Sequence, residues 1–247
     1  MRCVGVIPAR YSSTRFPGKP LALIKDKPMI QWVYTAASEA THLDHVLVAT
    51  DDERIFEAVR DFGGLAQMTS AGHQSGTDRI AEVAEDLDAE LIVNIQGDEP
   101  LIEPHIIDTA VAPLIDNPDI EMGTLACPFP ADTDPSDPDI VKVVFDRAGN
   151  ALYFSRHPIP YRRGGTHPDV RSWQHIGLYV YRRSFLLKFA RSAPTSLEKA
   201  ESLEQLRALE LGYQIHVEQT EFQSAGVDRP EDLEKILQTI EAASMNL

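Results

Sequence analysis

Cysteine is scarce. Cys3 and Cys127 are the only two in 247 residues, too few and too far apart for a disulfide framework or a four-ligand zinc site. Such scarcity suits a reducing compartment, and the chain reads as cytoplasmic. Long apolar runs are missing as well. The opening run is broken by Pro8 and followed at once by charge, so it lacks the length of a signal-peptide core, and no stretch approaches a membrane span. Positive charge is in deficit, with 23 Lys and Arg against 38 Asp and Glu for a net charge of -15. That field opposes nucleic acid and anionic membrane, both of which need extended basic surface to displace counterions. There is no internal repeat and no low-complexity tract. The GxxxxGK(S/T) phosphate loop is also lacking, which removes support for ordinary kinase or motor ATPase chemistry.

What is present is enough apolar content, 43%, to bury the core of a single domain over residues 1–247. Cys3 to Ile7, His45 to Ala49 and Leu91 to Ile95 are short β-rich runs bounded by polar residues and read as buried parallel strands. Between them, apolar residues recur at helical spacing: Met29, Val33 and Ala36, then Ile55, Val59 and Phe62, then Ile80, Val83, Ala84 and Leu87. Thr50 with Glu53 forms a capping-box pattern opening the second helix, and Gly63-Gly64 supplies a left-handed close. This alternation predicts an α/β fold with a doubly wound, mainly parallel sheet flanked by helices, whose ligands sit at the carboxyl ends of the strands. After a helix near His105 to Ile115, the Pro- and Asp-rich PFPADTDPSDPD leads into a smaller antiparallel arm, with strand-like runs at Ile140 to Phe145, Ala151 to Phe154 and Ile176 to Tyr181. The linker and arm together occupy residues 128–182. Leu197 to Leu211 and Glu231 to Ala243 read as helices, with a strand-like QIHVEQT between them.

Despite the acidic total, Arg2, Arg10, Arg15, Lys19 and Lys25 all precede the first acidic residue, Asp26. Three of these cations lie in IPARYSSTRFPGKP, directly after the first strand, where an α/β sheet presents its ligand. Arg10, Arg15 and Lys19 supply charge, Ser12, Ser13 and Thr14 supply donors, and Gly18 permits close backbone approach. The chemistry fits a nucleoside triphosphate. Asp98, after an apolar strand and Gly97, projects into the same crevice and is the natural magnesium ligand, since Mg²⁺ takes one or two carboxylates and leaves its other positions for water and phosphate. Asp228 in GVDRPED is the second carboxylate. With Pro230 and Glu231 beside it, Asp228 reads equally well as a helix cap. Ser75, Gly76 and Thr77 precede a helix and offer hydrogen bonds from its amino end.

The loop resembles that of the 3-deoxy-manno-octulosonate cytidylyltransferase family. HQSGTDR (His73 to Arg79), VNIQGDEP (Val93 to Pro100), VKVVFD (Val141 to Asp146), ALYFSR (Ala151 to Arg156), HIGLYVYR (His175 to Arg182), LEQLRALE (Leu203 to Glu210) and GVDRPEDL (Gly226 to Leu233) are similar to family blocks in the same order. The segment before HQSGT departs from many members, which carry a basic and an acidic residue where this sequence has Ser70 and Gly72.

The resemblance implies a nucleotide-diphospho-sugar transferase-like fold and activation of 3-deoxy-manno-octulosonate (KDO) by CTP to give CMP-KDO and pyrophosphate for lipopolysaccharide. It also implies a homodimer built through the arm. Arg10, Ser13, Arg15 and Lys19 would hold the triphosphate, with Ser75, Gly76 and Thr77 at the base. Mg²⁺ on Asp98 and Asp228 would bridge the α-phosphate to the sugar acid, and Lys19, Asp98 and Asp228 form the catalytic set. Gln96, Arg156, His175, Tyr179, Glu204 and Gln205 match positions that contact the keto sugar acid. Taken singly these have bland readings: Tyr179 as a core aromatic, His175 as a satisfied histidine, Glu204 and Gln205 as an exposed helix face. Two other functions stay open: a cytidylyltransferase for sialic acid or another nonulosonate, and a non-catalytic nucleotide or sugar binder on the same scaffold.

Overall fold

The first apolar run becomes a strand hydrogen-bonded on both sides. The computed structural model describes residues 2–13, 15–129, 133–164, 170–223 and 225–245, and these fall into two compact units, residues 1–108 with 224–247 and residues 109–223. In the first unit, β1 (Cys3–Ala9) is followed by a two-stranded hairpin of β2 (Leu23–Ile24) and β3 (Lys27–Pro28), then α1 (Met29–Ser38), β4 (His45–Thr50), α2 (Glu53–Asp61), β5 (Ala66–Met68), α3 (Gly76–Asp86) and β6 (Leu91–Asn94). β1 pairs in parallel with β4, from Val4 opposite His45 to Ala9 opposite Thr50. On its other edge it pairs in parallel with β6, and β5 extends the sheet beyond β4. Val6, Ile7, Val48, Leu91 and Val93 are wholly buried, which is why these runs are apolar without alternation. All four strands point the same way, so the loop after β1, the Asp51-Asp52 pair after β4 and the Gln96-Gly97-Asp98 turn after β6 leave from one end of this sheet.

The second helix starts differently from the sequence reading. Thr50 stays in β4, opposite Ala9, and its hydroxyl accepts from the Asp52 amide at 3.2 Å. Asp52 is the cap, with its carboxylate accepting from the Arg54 amide at 3.0 Å. The Thr50–Glu53 capping box is therefore replaced by an Asp52 cap. Gly63 closes this helix in the left-handed region, φ 83°, as the Gly-Gly pair suggested.

Helix α4 (Pro104–Asp116) leads into the second unit, which holds β7 (Met122–Pro128), β8 (Lys142–Phe145), β9 (Ala151–Ser155), β10 (Trp173–Arg182), α5 (Arg183–Ala190), α6 (Ser196–Glu201), α7 (Gln205–Glu210) and β11 (His216–Gln219). β10 runs antiparallel to β7 and to β8, β8 runs antiparallel to β9, and β11 is parallel to β7. Tyr179, Tyr181, Phe185 and Phe189 stack in series, with centroids 5.9, 6.3 and 5.5 Å apart. The helix expected over Leu197 to Leu211 is broken. Ser202 adopts φ 53°, and Arg156 takes two carbonyls there, donating Nε to Glu201 O at 2.8 Å and Nη2 to Ser202 O at 3.3 Å.

Across this break Arg207 grips Glu198 with two bonds, Nε to Oε2 at 2.8 Å and Nη2 to Oε1 at 2.5 Å, both side chains being largely buried. Burial opposes the Glu198 charge, but hydrogen bonds from Arg207 and the Thr195 amide outweigh it and hold its pKa below the ordinary 4.5. A depressed carboxylate pKa contributes stability above the unfolded value, lost as pH falls through the folded one. Arg207→Ala leaves a buried, unpaired carboxylate and should cost about 3–5 kcal/mol in urea unfolding. Glu198→Gln should flatten the loss of stability between neutral pH and pH values below 4.5.

The chain then returns to the first unit through α8 (Asp232–Met245). Ile24, Met29, Val227 and Ile236 form a buried cluster with Phe16, Trp32 and Leu233 packed against it. This cluster anchors the residue before Asp228 beside the hairpin that follows the first loop.

Candidate active site

A cleft of about 270 Å³ in the first unit is lined by Pro8, Arg10, Ser13, Arg15, Lys19, Ser75, Gly76, Gln96, Asp98 and Asp228, among others. All four triphosphate candidates, both carboxylates, Ser75, Gly76 and Gln96 therefore face one space. Thr77 is buried, at 3% exposure, and does not line it. Thr14 lies outside the described residues.

The loop after β1 closes on itself before reaching Lys19. The Gly18 amide donates to Tyr11 O at 2.8 Å, and the Phe16 amide donates to Ser13 Oγ at 3.3 Å. Gly18 has φ 72°, and an added Cβ would come within 3.1 Å of the Tyr11 ring. The Arg54 guanidinium lies 3.3 Å from the Tyr11 ring centroid and is itself held by the Asp52 carboxylate at 2.9 and 2.6 Å. A stacked guanidinium of this kind contributes by cation–π attraction and packing, so the loop is tied to the start of α2. Gly18→Ala meets both a left-handed backbone and a ring contact. It should lower unfolding stability by roughly 1–2 kcal/mol and raise the KM for nucleotide several-fold, as checked by urea titration and steady-state kinetics.

Beyond Gly18 a short 3-10 turn, Lys19–Leu21, aims the lysine. Its ammonium donates to Asp98 Oδ2 at 2.6 Å and to Val227 O at 2.8 Å, and it lies 3.7 Å from Asp228 Oδ1. Arg15 Nη1 reaches Asp228 Oδ2 at 3.1 Å. The capping alternative for Asp228 is thereby decided. The Asp228 and Arg229 amides are accepted by Asp232 Oδ2 at 3.0 and 2.9 Å, leaving the Asp228 carboxylate directed at the cations of the loop. Val227 N donates to Asp98 O at 2.8 Å, so one backbone bond couples the two acidic segments.

Ser75 is the cap of α3 in a reciprocal box with Asp78: its hydroxyl accepts from the Asp78 amide at 3.1 Å and its own amide donates to Asp78 Oδ2 at 3.2 Å. Gly76 and Thr77 are already helical. The amino end of α3 thus meets the cleft at Ser75 and Gly76, rather than through three residues ahead of the helix.

Three further liners, His73, Gln74 and Arg79, lie in the HQSGTDR block but were assigned no role from the sequence. Arg79 is only 4% exposed. It pairs with Asp51 at 3.0 Å and donates to the Thr69 hydroxyl. His73 is hydrogen-bonded to Glu82, which also accepts the Ser70 amide at 3.0 Å. The His73 bond, resisted by burial and aided by the Ser70 amide, holds the Glu82 carboxyl below its ordinary pKa. The partner of Arg79, Asp51, stands at the end of β4, with α2 and β5 between it and α3, so nothing local in the sequence marks Arg79 as a buried cation.

The remaining candidates lie in the second unit. His175 is 9% exposed and sits 5.4 Å from the Tyr179 ring, centroid to centroid. Burial, then Tyr181 and Glu204, raise the Tyr179 phenol well above its ordinary pKa. Glu204 Oε1 accepts from Arg207 at 3.1 Å, and Gln205 is buried. Arg156 donates to three backbone carbonyls, Pro138 O at 2.7 Å besides the two at the helix break, so much of its guanidinium is occupied in bracing the chain.

A sequence model of the cytidylyltransferase family matches residues 4–217. A 3-deoxy-manno-octulosonate cytidylyltransferase of Geobacter metallireducens is 54% identical over 97% of this chain and 98% of its own length. That of Syntrophotalea carbinolica is 55% identical over 96% and 97%. Among solved structures, a CMP:2-keto-3-deoxy-manno-octonic acid synthetase complexed with CTP superposes with a TM-score of 0.94 at 42% identity, covering 98% of this chain and 100% of the other. A 4-diphosphocytidyl-2C-methyl-D-erythritol synthase from Anaerococcus prevotii shares the fold at a TM-score of 0.64 and 11% identity.

Proposed function

The chain belongs to the 3-deoxy-manno-octulosonate cytidylyltransferase family, and from that premise we propose how its own residues carry out the transfer. It is a nucleotidyltransferase that activates 3-deoxy-manno-octulosonate with CTP. The oxygen of the sugar acid's anomeric hydroxyl forms a bond to the α-phosphorus of CTP, releasing its proton to solvent, as the bond to the β-phosphate oxygen breaks. CMP-KDO and pyrophosphate result. No covalent enzyme intermediate is needed, so catalysis consists of positioning and charge neutralisation.

The observation that carries the reading is the convergence of Lys19, Asp98 and Asp228 at one point of a cleft that Arg10, Ser13 and Arg15 also line. Arg10, Arg15, Ser13 and Lys19 hold the phosphates, and Ser75 and Gly76 at the start of α3 offer hydrogen bonds to the nucleotide. Two hard carboxylates flanking an ammonium are a donor set suited to a divalent ion that keeps several positions for water and phosphate, so Asp98 and Asp228 would hold Mg²⁺. When bound, the ion neutralises phosphate charge and acidifies a coordinated hydroxyl. Arg156, His175, Tyr179, Glu204, Gln205 and Gln96 bind the sugar acid.

A cytoplasmic homodimer serving lipopolysaccharide synthesis completes the proposal. Leu152, Tyr161 and Val170, at 62%, 87% and 39% exposure, all lie in the antiparallel arm and support its use as the subunit contact. No helix among the described residues is long and apolar enough to cross a membrane.

A panel of keto sugar acids offered with CTP, read by pyrophosphate release, tests the function. Preference for the eight-carbon acid is expected. Preference for sialic acid, or CTP binding with no release for any acid, contradicts it.

A further inference from the structure

The antiparallel ladder between β7 and β10 is irregular where the sugar-acid candidates lie. His175 faces Ala126 and Ile176 faces Leu125, but the next partner on β7, Thr124, faces Tyr179. Gly177 and Leu178 are extra residues on one strand of the pair. Because Ala126 and Thr124 are two apart on β7, the bulge makes His175 and Tyr179 neighbours on one face of the sheet, with rings 5.4 Å apart. Bulges re-aim side chains in this way at the expense of ladder hydrogen bonds.

Thr124 fills that deficit. It is 1% exposed, and its hydroxyl lies 3.1 Å from Ile176 O and 2.8 Å from Leu178 O. A third polar atom, His175 Nε2, is 2.9 Å away. A threonine hydroxyl has one proton and two lone pairs, while a carbonyl oxygen only accepts. If the hydroxyl proton went to His175, both carbonyl oxygens would face hydroxyl lone pairs at hydrogen-bond distance in a buried site, a repulsive arrangement. The proton therefore goes to the carbonyls, shared between Ile176 and Leu178, and the hydroxyl oxygen accepts from His175. It follows that Nε2 carries the imidazole's hydrogen.

The ring has no second proton to offer at neutral pH. Burial, with Phe154 edge-on at 5.0 Å and Tyr179 alongside, pushes its pKa down to about 3. A neutral imidazole protonated at Nε2 has a bare Nδ1, which only accepts hydrogen bonds. Such a nitrogen attracts a hydroxyl and repels a carboxylate or phosphate oxygen.

We propose that the Thr124 hydroxyl is a positioning group for the sugar-acid site, holding His175 in its Nε2–H tautomer so that Nδ1 accepts a sugar hydroxyl and rejects a carboxylate at that point. The proposal rests on the sugar-acid reading of this chain for the identity of the hydroxyl, but the tautomer stands on the geometry of the second unit alone. Recognition of the acid is thereby divided, with its carboxylate left to other donors while His175 reads the polyol.

The first measurement is a long-range ¹H–¹⁵N spectrum of the histidine-labelled chain, with the His175 signals identified by their loss in His175→Gln. A protonated Nε2 and a bare Nδ1 are expected at pH 7, unchanged at pH 5, where exposed histidines gain a proton. A proton on Nδ1, or a charged ring at pH 7, overturns the proposal. The second compares Thr124→Val with Thr124→Ser. The valine variant should raise the KM for the sugar acid about tenfold, the cost of one buried hydrogen bond, leave the KM for CTP unchanged and disturb the His175 tautomer. The serine variant should restore the sugar-acid KM and the tautomer, again with the KM for CTP unchanged. An unchanged spectrum and unchanged sugar-acid KM in Thr124→Val contradict the role even if the valine chain is less stable. If the unmodified chain releases no pyrophosphate from CTP and the acid, the hydroxyl assignment fails with the family reading, while the spectrum still judges the tautomer.

Discussion

Asp98→Asn should lower kcat for pyrophosphate release by about 10²–10³ while leaving CTP binding within a few-fold of normal. The magnitude is that of losing one preorganised electrostatic contact to a transferring group. The amide keeps the shape of the carboxylate and can still accept from Lys19, now 2.6 Å away, so the loop keeps its course. What is lost is one of the two carboxylates that line the cleft among the described residues, and raising Mg²⁺ should recover part of the activity. Asp228, half exposed and shared with Arg15, should give a smaller loss under the same substitution. Near-normal turnover of Asp98→Asn at saturating magnesium would remove Asp98 from the catalytic set.

Lys19→Met should reduce kcat/KM for CTP by a comparable factor, through both terms. The Lys19 side chain is 16% exposed, and its ammonium bridges Asp98, Val227 O and the edge of Asp228. Methionine retains the bulk of the stem but leaves two carboxylates facing one another without a cation between them. Two opposite effects follow. Triphosphate affinity falls, because a charge-assisted donor to phosphate is gone. Affinity for Mg²⁺ in the absence of nucleotide rises, because the competing ammonium is gone as well. Calorimetric titration of Mg²⁺ into the two nucleotide-free proteins measures the second effect independently of activity, and weaker Mg²⁺ binding by Lys19→Met contradicts the placement of that cation between ligands of the metal.

Most of what locates the cleft could be read in the sequence, since strand ends, clustered cations and Gly18 are local features. β1, β4 and β6 announced themselves as continuous apolar runs because both faces of the strands are covered. β5 did not: it is a three-residue strand of partly exposed residues, too short for a pattern. Asp228 was ambiguous because DRPED offers more than one acidic residue that could cap the following helix. Only the position of α8, set by Val227 and Ile236 packing on the hairpin, makes Asp232 take the amides and frees Asp228.

The break at Ser202 was hidden by a continuous helical pattern, and the side chain that braces it, Arg156, is distant in the chain. Arg79 and the Thr124–His175 contact were illegible for the same reason, since a buried polar group is defined by partners far away in the chain. The family resemblance supplied the sugar-acid residues, which no local pattern marks.

Pyrophosphate release by the unmodified chain, measured with CTP, 3-deoxy-manno-octulosonate and Mg²⁺ each omitted in turn, tests the central claim most directly. The account predicts release only when all three are present, in step with formation of CMP-KDO, and its loss when a chelator removes the divalent ion. Release without the sugar acid, or at an undiminished rate after chelation, would contradict it.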